Sequence, residues 1–451
     1  MRLPSLTTLI GDEIQGDLKW SSFVDGKNGF FYGIPSNARR VVKFNPLDKS
    51  LTEIGPDLGE GEFKWLCGAR ANTGDIYCAP CNANHILKIK TSDGTVETLN
   101  DVELPETGEY LWASGALATD SNIYYMPSCA RGIMRLNPYN DSLSSVGDDL
   151  GQGEFKYSGT VVGIDDLVYG IPDRSKRIIK FDLTNPDTTS TVGEEATEWF
   201  GCDNGVLSGD GYIYAANMHG QVLQIDATSN NYTWIGDPIC SGWGQGWVKQ
   251  LLELISDTTS SDYTWIGDRI YSRRGGWGDA IIGVDKCIYW PPFNVNRVLK
   301  FDPETQQLPS LVGDDLGEGR DKWQGGALAT TDGVIYCIPF GHTTTQVLVI
   351  DPLKELSMAL QKNFRQHPQE LGCLFVKDDK YDETFYDSAV RKFGIEKVFQ
   401  LIEEFSPLDD EWANTSYSNN TLPLFMVAAS CDNCAAPVIY YFLRRNTHAL
   451  F

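Results

Sequence analysis

One tyrosine recurs along this chain at nearly constant spacing, and that recurrence limits the possible folds more than any other feature. It closes a short apolar segment seven times, at Tyr32, Tyr77, Tyr124, Tyr169, Tyr214, Tyr289 and Tyr336. The steps between these tyrosines are 45, 47, 45, 45, 75 and 47 residues. A chain that repeats one unit at such a period folds as a ring or an array of similar structural units.

Each repeat contains about four short segments in which apolar and polar residues alternate, as in β-strands with one buried face. Around the sixth tyrosine these segments read DAIIGV, CIYWPP, RVLKFD and LPSLVG. Four strands in about 45 residues is the spacing of a β-propeller blade. The sequence therefore predicts a mainly β fold, a seven-bladed β-propeller of four-stranded repeats over residues 1–352.

The repeat spacing resembles that of kelch and WD40 β-propeller proteins, although the Gly-His…Trp-Asp signature of WD40 blades and the kelch double glycine are absent. The repeated unit itself, GDDLG-x-G-x-x-KW…GxIY-x-x-P…VLxIDP, resembles uncharacterised repeat families of diatoms and other algae. This resemblance covers roughly residues 5–352. It implies a propeller fold and no particular activity.

Both ends of the repeat region depart from the pattern. After Asp351 the segment PLKELSMALQK is typical of a helix, so the seventh blade lacks its outer strand. The N-terminal LPSLTTLIGD is similar to the LPSLVGDD that begins at Leu308. We therefore expect Ser5–Ile10 to complete the seventh blade and close the ring, which removes exposed strand edges.

The 75-residue step contains the segment YTWIGD twice, at Tyr232–Asp237 and Tyr263–Asp268. Only one copy can form the outer strand of the fifth blade. We expect a surface insertion at about 238–268 that includes the helix-like segment WVKQLLELI. An eighth blade is the less favoured alternative, because the IYxxP and VLxID strands are missing there.

Residues 353–451 have a different pattern and predict a small α-helical domain. Apolar residues from Ile395 to Phe405 follow helical spacing. The segments 424–429 and 437–443 suggest a helix pair, weakly similar to an ankyrin unit. We favour a structural role for these helices over a docking site for a partner.

The formal net charge of -24 makes nucleic acid and anionic membranes unfavourable partners. No apolar run approaches the ~18 residues of a membrane span, and the start MRLPSLTTLIGDE shows no signal peptide. The 11 cysteines lie mostly in strand-like segments, which favours buried thiols in a reducing compartment. We expect a cytoplasmic monomer that binds a protein partner.

The loops at one end of the blades have opposite charges. Loops that join neighbouring blades are acidic, whereas loops between the second and third strands contain arginine or histidine. Both sets should meet at the face where each first strand begins, which we call the top face. The candidate ligand-binding or partner-binding residues are Arg40, Asp57, His85, Arg131, Asp148, Arg177, Arg297, Asp314 and His342. Ion pairs that serve the repeat are the alternative interpretation, and we favour it.

Aromatic residues also recur where each first strand begins. These are Trp20, Trp65, Trp112, Tyr157, Trp199, Trp277 and Trp323. We favour packing between blades for them over stacking on a sugar at the channel mouth.

Metal sites find little support in the sequence, and we predict no metal or cofactor. His85, His219 and His342 belong to different blades and different loop positions. The Asp/Glu-Gly loops lack the dense carboxylate pattern of a calcium loop. The pairs Cys78/Cys81 and Cys431/Cys434 lie in different domains, and one pair is not a zinc site by itself.

Common catalytic motifs are absent: there is no GxSxG elbow, P-loop, HExxH or dinucleotide fingerprint. No residue is therefore predicted to be catalytic. The sequence favours a non-catalytic binding or scaffold module that recognises a protein or small ligand through the top face. The alternative is a metal-assisted hydrolase or lactonase with its site at the channel mouth. A deep central pocket with converging acids and His85 would favour the enzyme.

Overall fold

The computed structural model describes residues 5–239, 276–354, 356–357, 377–378, 383–394 and 398. The chain divides into two compact units, of which Thr7–Ile350 is the larger. In its described residues this unit forms seven four-stranded antiparallel sheets, the blades of a β-propeller. The predicted insertion at about 238–268 falls almost entirely outside the described residues.

The first strand of the chain, β1 (Thr7–Ile10), belongs to the last blade. The later strands follow in chain order, four to a blade except in the seventh. Blade one contains β2 (Trp20–Asp25), β3 (Phe31–Pro35), β4 (Val41–Asn45) and β5 (Ser50–Ile54), and blade two contains β6 (Ala69–Arg70), β7 (Ile76–Cys78), β8 (Leu87–Ile89) and β9 (Val96–Thr98). Blade three contains β10 (Trp112–Leu117), β11 (Ile123–Pro127), β12 (Ile133–Asn137) and β13 (Ser142–Val146), and blade four contains β14 (Tyr157–Val162), β15 (Val168–Pro172), β16 (Ile178–Asp182) and β17 (Asn185–Val192). Blade five contains β18 (Val206–Leu207), β19 (Ile213–Ala216), β20 (Val222–Asp226) and β21 (Asn231–Ile235), blade six contains β22 (Ile281–Ile282), β23 (Ile288–Trp290), β24 (Val298–Phe301) and β25 (Ser310–Val312), and blade seven contains β26 (Trp323–Leu328), β27 (Ile335–Pro339) and β28 (Val347–Ile350).

The ring is closed by its N-terminal strand. β1 pairs antiparallel with β28, so that Thr7 lies opposite Ile350 and Ile10 lies opposite Val347. The seventh blade therefore has the strand order β1-β28-β27-β26. This confirms the prediction that the N-terminal segment supplies the missing outer strand.

The repeated tyrosine is buried in every blade. In five blades its hydroxyl donates to the aspartate four residues earlier, at 2.7–2.8 Å. These pairs are Tyr124–Asp120, Tyr169–Asp165, Tyr214–Asp210, Tyr289–Asp285 and Tyr336–Asp332. The same aspartates accept the N–H two residues further on, as in a turn closed by an Asx side chain. One D-x-x-x-Y segment thus closes the hairpin and satisfies the buried phenol.

The strand-initial aromatics are packing residues. The indole N–H of Trp20 donates to the Arg40 carbonyl, and that of Trp65 donates to the His85 carbonyl, both at 2.9 Å. These tryptophans are 4% and 3% exposed. Such burial leaves no ring face for stacking on a sugar.

In blade five the predicted strand-initial aromatic residue, Trp199, is wrong. Trp199 is 59% exposed and does not begin the first strand. Cys202 occupies that position and bridges to Asn217, as Trp65 bridges to Pro80 in blade two. The physical reason is the pairing register. The backbone bridge between Cys202 and Asn217 fixes which residue begins the first strand, and Trp199 lies three residues before Cys202.

A closed circle of backbone hydrogen bonds joins the blades at the top face. Lys64 donates its N–H to the Ser36 carbonyl, Ser36 donates to Lys19, and Lys19 donates to Phe340. One such bond lies inside each of the seven blades and one joins each blade to the next, and the series returns to its start. Its members are Lys19, Ser36, Lys64, Cys81, Leu111, Ser128, Lys156, Asp173, Gly201, Met218, Gly276, Phe293, Lys322 and Phe340.

The second unit is described only in part. β29 (Lys377–Asp378) pairs with β30 (Glu383–Thr384), and the helix α1 (Phe385–Phe393) follows. Gly394, at φ +80°, ends α1, in the left-handed conformation that glycine favours. The predicted helices at 424–429 and 437–443 lie outside the described residues. No helix in the described part of the chain is long and apolar enough to cross a membrane.

Candidate functional site

The predicted opposite charges of the top face meet as ion pairs inside single blades. Each joins an arginine before the third strand to a carboxylate 18 residues later, after the fourth strand. The pairs are Arg39–Asp57, Arg131–Asp149 and Arg177–Glu195. All six side chains are about half exposed, so each pair contributes little to stability. Hydrogen bonding to arginine lowers the pKa of the Asp57 and Asp149 carboxyls.

Three further predicted residues make contacts that hold loops in place. Arg40 donates from its guanidinium to the Gly55 carbonyl. Asp148 accepts both the N–H and the hydroxyl of Thr189, at 2.8 Å each, on the outer strand of the next blade. The Arg297 carbonyl accepts the indole N–H of Trp277. These contacts hold the loops in place, and that of Arg297 involves only its backbone carbonyl.

Two predicted residues lie beside the ends of the ring. The Asp314 N–H donates to the Thr7 hydroxyl at 2.9 Å, which ties blade six to β1. His342 donates its N–H to the Asp17 carboxylate at 2.9 Å, and its Nδ1 lies 3.2 Å from the same oxygen. Both contacts contribute to closure.

Only Asp57 and His85 of the nine predicted residues line a common cleft. This cleft, of about 1230 Å³, opens between blades one, two and three and is also lined by Glu60, Glu62, Glu109, Glu154, Trp65, Tyr110 and Phe155. We call it the top-face cleft. Among the described residues, the buried Nδ1 of His85 has no hydrogen-bond partner.

The cleft combines negative charge with aromatic rings. The Tyr110 and Phe155 rings lie 5.3 Å apart, and the Arg174 guanidinium lies 4.8 Å from the Phe155 ring. Lys64 also lines the cleft, but its ammonium group donates to the carbonyls of Asn37 and Ala38. Burial lowers the pKa of Lys64. Arg39 pairs with Asp57 and Glu60, and Arg174 lies 3.6 Å from the Glu154 carboxylate. Glu62 and Glu109 are therefore the carboxylates of the cleft to which no described residue offers an ion pair.

The three top-face histidines do not converge. His219 is held in blade five, where its N–H donates to the Asn217 side chain at 3.0 Å, while His342 contacts Asp17. Across the described ranges, no three His, Cys, Asp or Glu side chains gather closely enough to hold a metal ion.

A second cavity, of about 220 Å³, lies in the central channel. The first strands of all seven blades, with the residues that lead into them, contribute to its wall. Its polar side chains include Ser22, Cys67, Ser114, Ser158, Asp203, Asn204, Asp279 and Gln324. Sequence reasoning missed this group, because it followed repeated positions and these positions do not repeat. Burial, with a smaller contribution from Asp279, raises the pKa of the Cys67 thiol to about 12.

Apolar side chains fill the top end of this channel. Phe63, Phe293 and Phe340 are at most 3% exposed and pack in one cluster with Leu66, which also lines the channel cavity. The Phe293 and Phe340 rings lie 5.9 Å apart. The channel mouth at the top face is therefore apolar, unlike the acidic site that the enzyme alternative requires.

The fold is that of a β-propeller. Virginiamycin B lyase from Staphylococcus aureus is similar, with a TM-score of 0.55 and 13% sequence identity over 76% of this chain and 98% of that chain. A catalytically inactive form of the same lyase with quinupristin gives a TM-score of 0.56 at 12% identity, over 76% of this chain and 98% of the other.

An extracellular domain of a hybrid two component system from B. thetaiotaomicron is also similar, with a TM-score of 0.51 at 8% identity over 77% of this chain and 42% of that one. No protein-family model and no curated protein matches the sequence. At these identities the similarity shows the fold alone, and it assigns no activity.

Proposed function

We propose that this protein is a non-catalytic binding module that captures a basic protein segment in the top-face cleft. The observation that supports this proposal is the composition of the cleft, which is lined by five carboxylates and by the rings of Tyr110 and Phe155. Two of these carboxylates, Glu62 and Glu109, have no ion pair among the described residues, whereas the other three pair with Arg39 or Arg174. A cleft of about 1230 Å³ has room for several side chains of a partner.

The chemistry of the cleft favours lysine and arginine. Carboxylates accept charge-assisted hydrogen bonds from both, and arginine makes bidentate ones. Arginine also stacks on aromatic faces, as Arg174 already does on Phe155. The net charge of -24 would in addition steer a basic partner towards the protein.

The enzyme alternative lacks a comparable supporting observation. A metal-assisted hydrolase or lactonase at the channel mouth needs converging ligands and a polar opening. His219 contacts Asn217 and His342 contacts Asp17. No three His, Cys, Asp or Glu side chains of the described residues gather closely enough to hold a metal ion, and Phe63, Phe293 and Phe340 occupy the mouth.

The test is binding of short fluorescent peptides measured by anisotropy. We expect an arginine-rich peptide to bind and a glutamate-rich peptide not to bind. The double variant Glu62→Gln/Glu109→Gln should weaken binding at least about fivefold, because two charge-assisted contacts are lost.

The matched control is Glu53→Gln/Asp187→Asn, which removes two exposed carboxylates from the outer strands β5 and β17. It changes net charge equally and should leave affinity nearly unchanged. Equal weakening by both double variants would reduce the effect to general charge and refute the cleft as the site.

A further inference from the structure

We propose that the outer rim of blades five, six and seven binds an amphipathic helix of a partner protein, with apolar residues about seven positions apart and basic residues beside them. The rim is formed by the outer strands β21, β25 and β1. This surface is separate from the top-face cleft, which lies between blades one, two and three. The proposal rests on a row of exposed apolar residues, on the spacing of that row and on the charges beside it.

The row occupies one equivalent position on each outer strand. In every blade this position lies opposite a buried apolar residue of the third strand. From blade one to blade seven the pairs are Val42–Glu53, Leu87–Thr98, Met134–Ser145, Ile179–Thr191, Leu223–Trp234, Leu299–Leu311 and Leu348–Leu9. The outer residue is polar in the first four blades and large and apolar in the last three. Trp234, Leu311 and Leu9, which we call the rim row, are 37%, 39% and 44% exposed.

The strands that carry the rim row touch one another. A Cβ at Gly236, just after β21, would lie 3.0 Å from the Pro309 ring of blade six. A Cβ at Gly313, just after β25, would lie 2.6 Å from the Thr7 side chain in β1. Leu308, beside the first of these contacts, is 68% exposed and adds a fourth apolar side chain. The rim row therefore belongs to one continuous surface.

The blade fold does not explain apolar residues in the rim row. Each outer strand is the edge of its blade, and proteins usually protect exposed edges with charged residues, as Glu53 does in β5. Glu53, Thr98, Ser145 and Thr191 show that a blade accepts a polar residue at this position. Three neighbouring blades with apolar residues there form a patch of the kind that marks protein–protein contact.

The spacing of the rim row favours a helix as the occupant. Stacked sheets lie about 10 Å apart, so successive row residues are separated by about one sheet spacing. Two turns of an α-helix rise by about 10.5 Å over seven residues. A helix that crosses the three blades can therefore place one apolar side chain against each row residue. A strand added to one blade edge would meet only one of them.

The charges of the rim indicate that this helix is basic on one flank. Asp237, Asp314 and Asp12 each lie three residues after a row residue and are exposed. No lysine or arginine occurs in the three segments that carry the outer strands, Asp226–Pro238, Asp302–Glu318 and Ser5–Asp17. Complementary charge therefore requires lysine or arginine on the partner. A second copy of this chain is a less suitable occupant, because the net charge of -24 makes two copies repel each other.

The experiment measures binding of a fluorescent amphipathic peptide to the full-length protein by anisotropy. The peptide has about 20 residues, long enough to cross three blades as a helix, with leucine at every seventh position and lysine three residues after each leucine. A scrambled peptide of the same composition has the same charge and is the first control. We expect the amphipathic peptide to bind at least about tenfold more tightly, because only its leucines lie on one face.

Two single variants test the rim row. Trp234→Thr and Leu311→Ser introduce residue types that blades four and three have at this position, so the fold should be retained. Each should weaken binding of the amphipathic peptide at least about fivefold, because an apolar contact is lost. Leu47→Ser is the matched control, since Leu47 is a 79% exposed leucine of blade one that lies outside the rim. Asp237→Asn should weaken binding and lower its dependence on salt.

The same titrations separate the rim from the top-face cleft. Glu62→Gln/Glu109→Gln should not reduce the preference for the amphipathic peptide over the scrambled one, and Leu311→Ser should bind the arginine-rich peptide like the unaltered protein. Analytical ultracentrifugation tests the other occupant, because a dimer that Leu311→Ser dissociates would assign the rim to a second copy and overturn the proposal. The proposal is also overturned if neither peptide binds, if both bind equally, or if Leu47→Ser weakens binding as much as the rim variants.

Discussion

The second strands and the channel wall of this propeller differ in how strictly they repeat. The tyrosine of the second strand is the same residue in all seven blades, and it is buried in each. The position after the strand-initial residue, which lines the channel cavity in five blades, has six residue types in seven blades. Repeated residues build the ring, because every blade must fit its neighbours. Residues that differ from blade to blade are free to serve a ligand.

The largest expected effect tests the repeated side of this comparison. Tyr124 is fully buried, and its ring lies 5.1 Å from that of Phe181 in the next blade. Tyr124→Ala should lower the free energy of unfolding by about 3–5 kcal/mol, since a large cavity forms between blades. Ser22→Ala, at the channel wall, should stay within about 0.5 kcal/mol. Urea denaturation measures both, and similar losses would erase the distinction between the two regions.

Alkaline unfolding should follow the repeated tyrosines. Burial raises the pKa of Tyr32, and burial together with the Asp165 hydrogen bond raises the pKa of Tyr169 well above its usual value. A tyrosine in the unfolded chain titrates near pH ~10. The unfolded chain therefore binds fewer protons than the folded one above that pH, and stability falls as pH rises.

Below pH ~10 this contribution should be fully present. We expect the melting temperature to show no loss from the tyrosines up to that point and to fall above it. Phenolate absorbance of the buried tyrosines should rise together with loss of β-sheet circular dichroism. Ionisation that clearly precedes unfolding would mean that the tyrosines are not the groups that couple stability to pH.

A smaller effect should follow from the turn aspartate. Asp165 accepts the Tyr169 hydroxyl at 2.8 Å and the Leu167 N–H at 3.3 Å. Asp165→Asn should cost about 1 kcal/mol, because a charged acceptor is exchanged for a neutral one. The neighbouring Asp166→Asn is the control, since Asp166 has φ +61° and asparagine tolerates that conformation. Equal losses in the two variants would argue against the D-x-x-x-Y explanation.

The smallest effect is expected at the exposed ion pairs. Arg177 and Glu195 are 58% and 50% exposed in their side chains. Arg177→Ala should change stability little, and the change should vanish near 1 M salt, where the Debye length is about 3 Å. A large loss of stability that does not depend on salt would show that the top-face ion pairs stabilise the fold as much as the tyrosines do.

The sequence was sufficient for the propeller because the fold rests on residues that recur. The tyrosine spacing predicted seven blades, and the similarity of LPSLTTLIGD to LPSLVGDD predicted the closing strand. Trp199 was wrongly assigned because an aromatic residue was expected there, although the usual spacing of 12 residues before the repeated tyrosine indicates Cys202. The polar channel wall was missed because Asp203, Asp279 and Gln324 belong to no motif and meet only after the ring closes.

The top-face residues show what the spacing of residues in the sequence could not predict. Charges that recur 18 residues apart, as Arg131 and Asp149 do, pair with each other inside one blade, which agrees with the favoured interpretation of the repeat and not with a recognition surface. Asp57 and His85 line a common cleft. The glutamates and aromatic rings that complete this cleft come from neighbouring loops and are not regularly spaced. Spacing therefore predicts which residues share a face, whereas their partners depend on the depth and shape of that face.

The hydrogen-bonded circle at the top face also bears on how the length of this chain can vary. Ile239 donates its N–H to the His219 carbonyl, and Gly276 donates to the adjacent Met218 carbonyl. The chain between Ile239 and Gly276 therefore starts and finishes at neighbouring points of one loop. For a connection whose two ends are held close together, doubling the length costs only about 0.6 kcal/mol in chain entropy. This position is consequently suited to hosting a foreign domain, such as a fluorescent reporter, with the circumference of the ring unchanged.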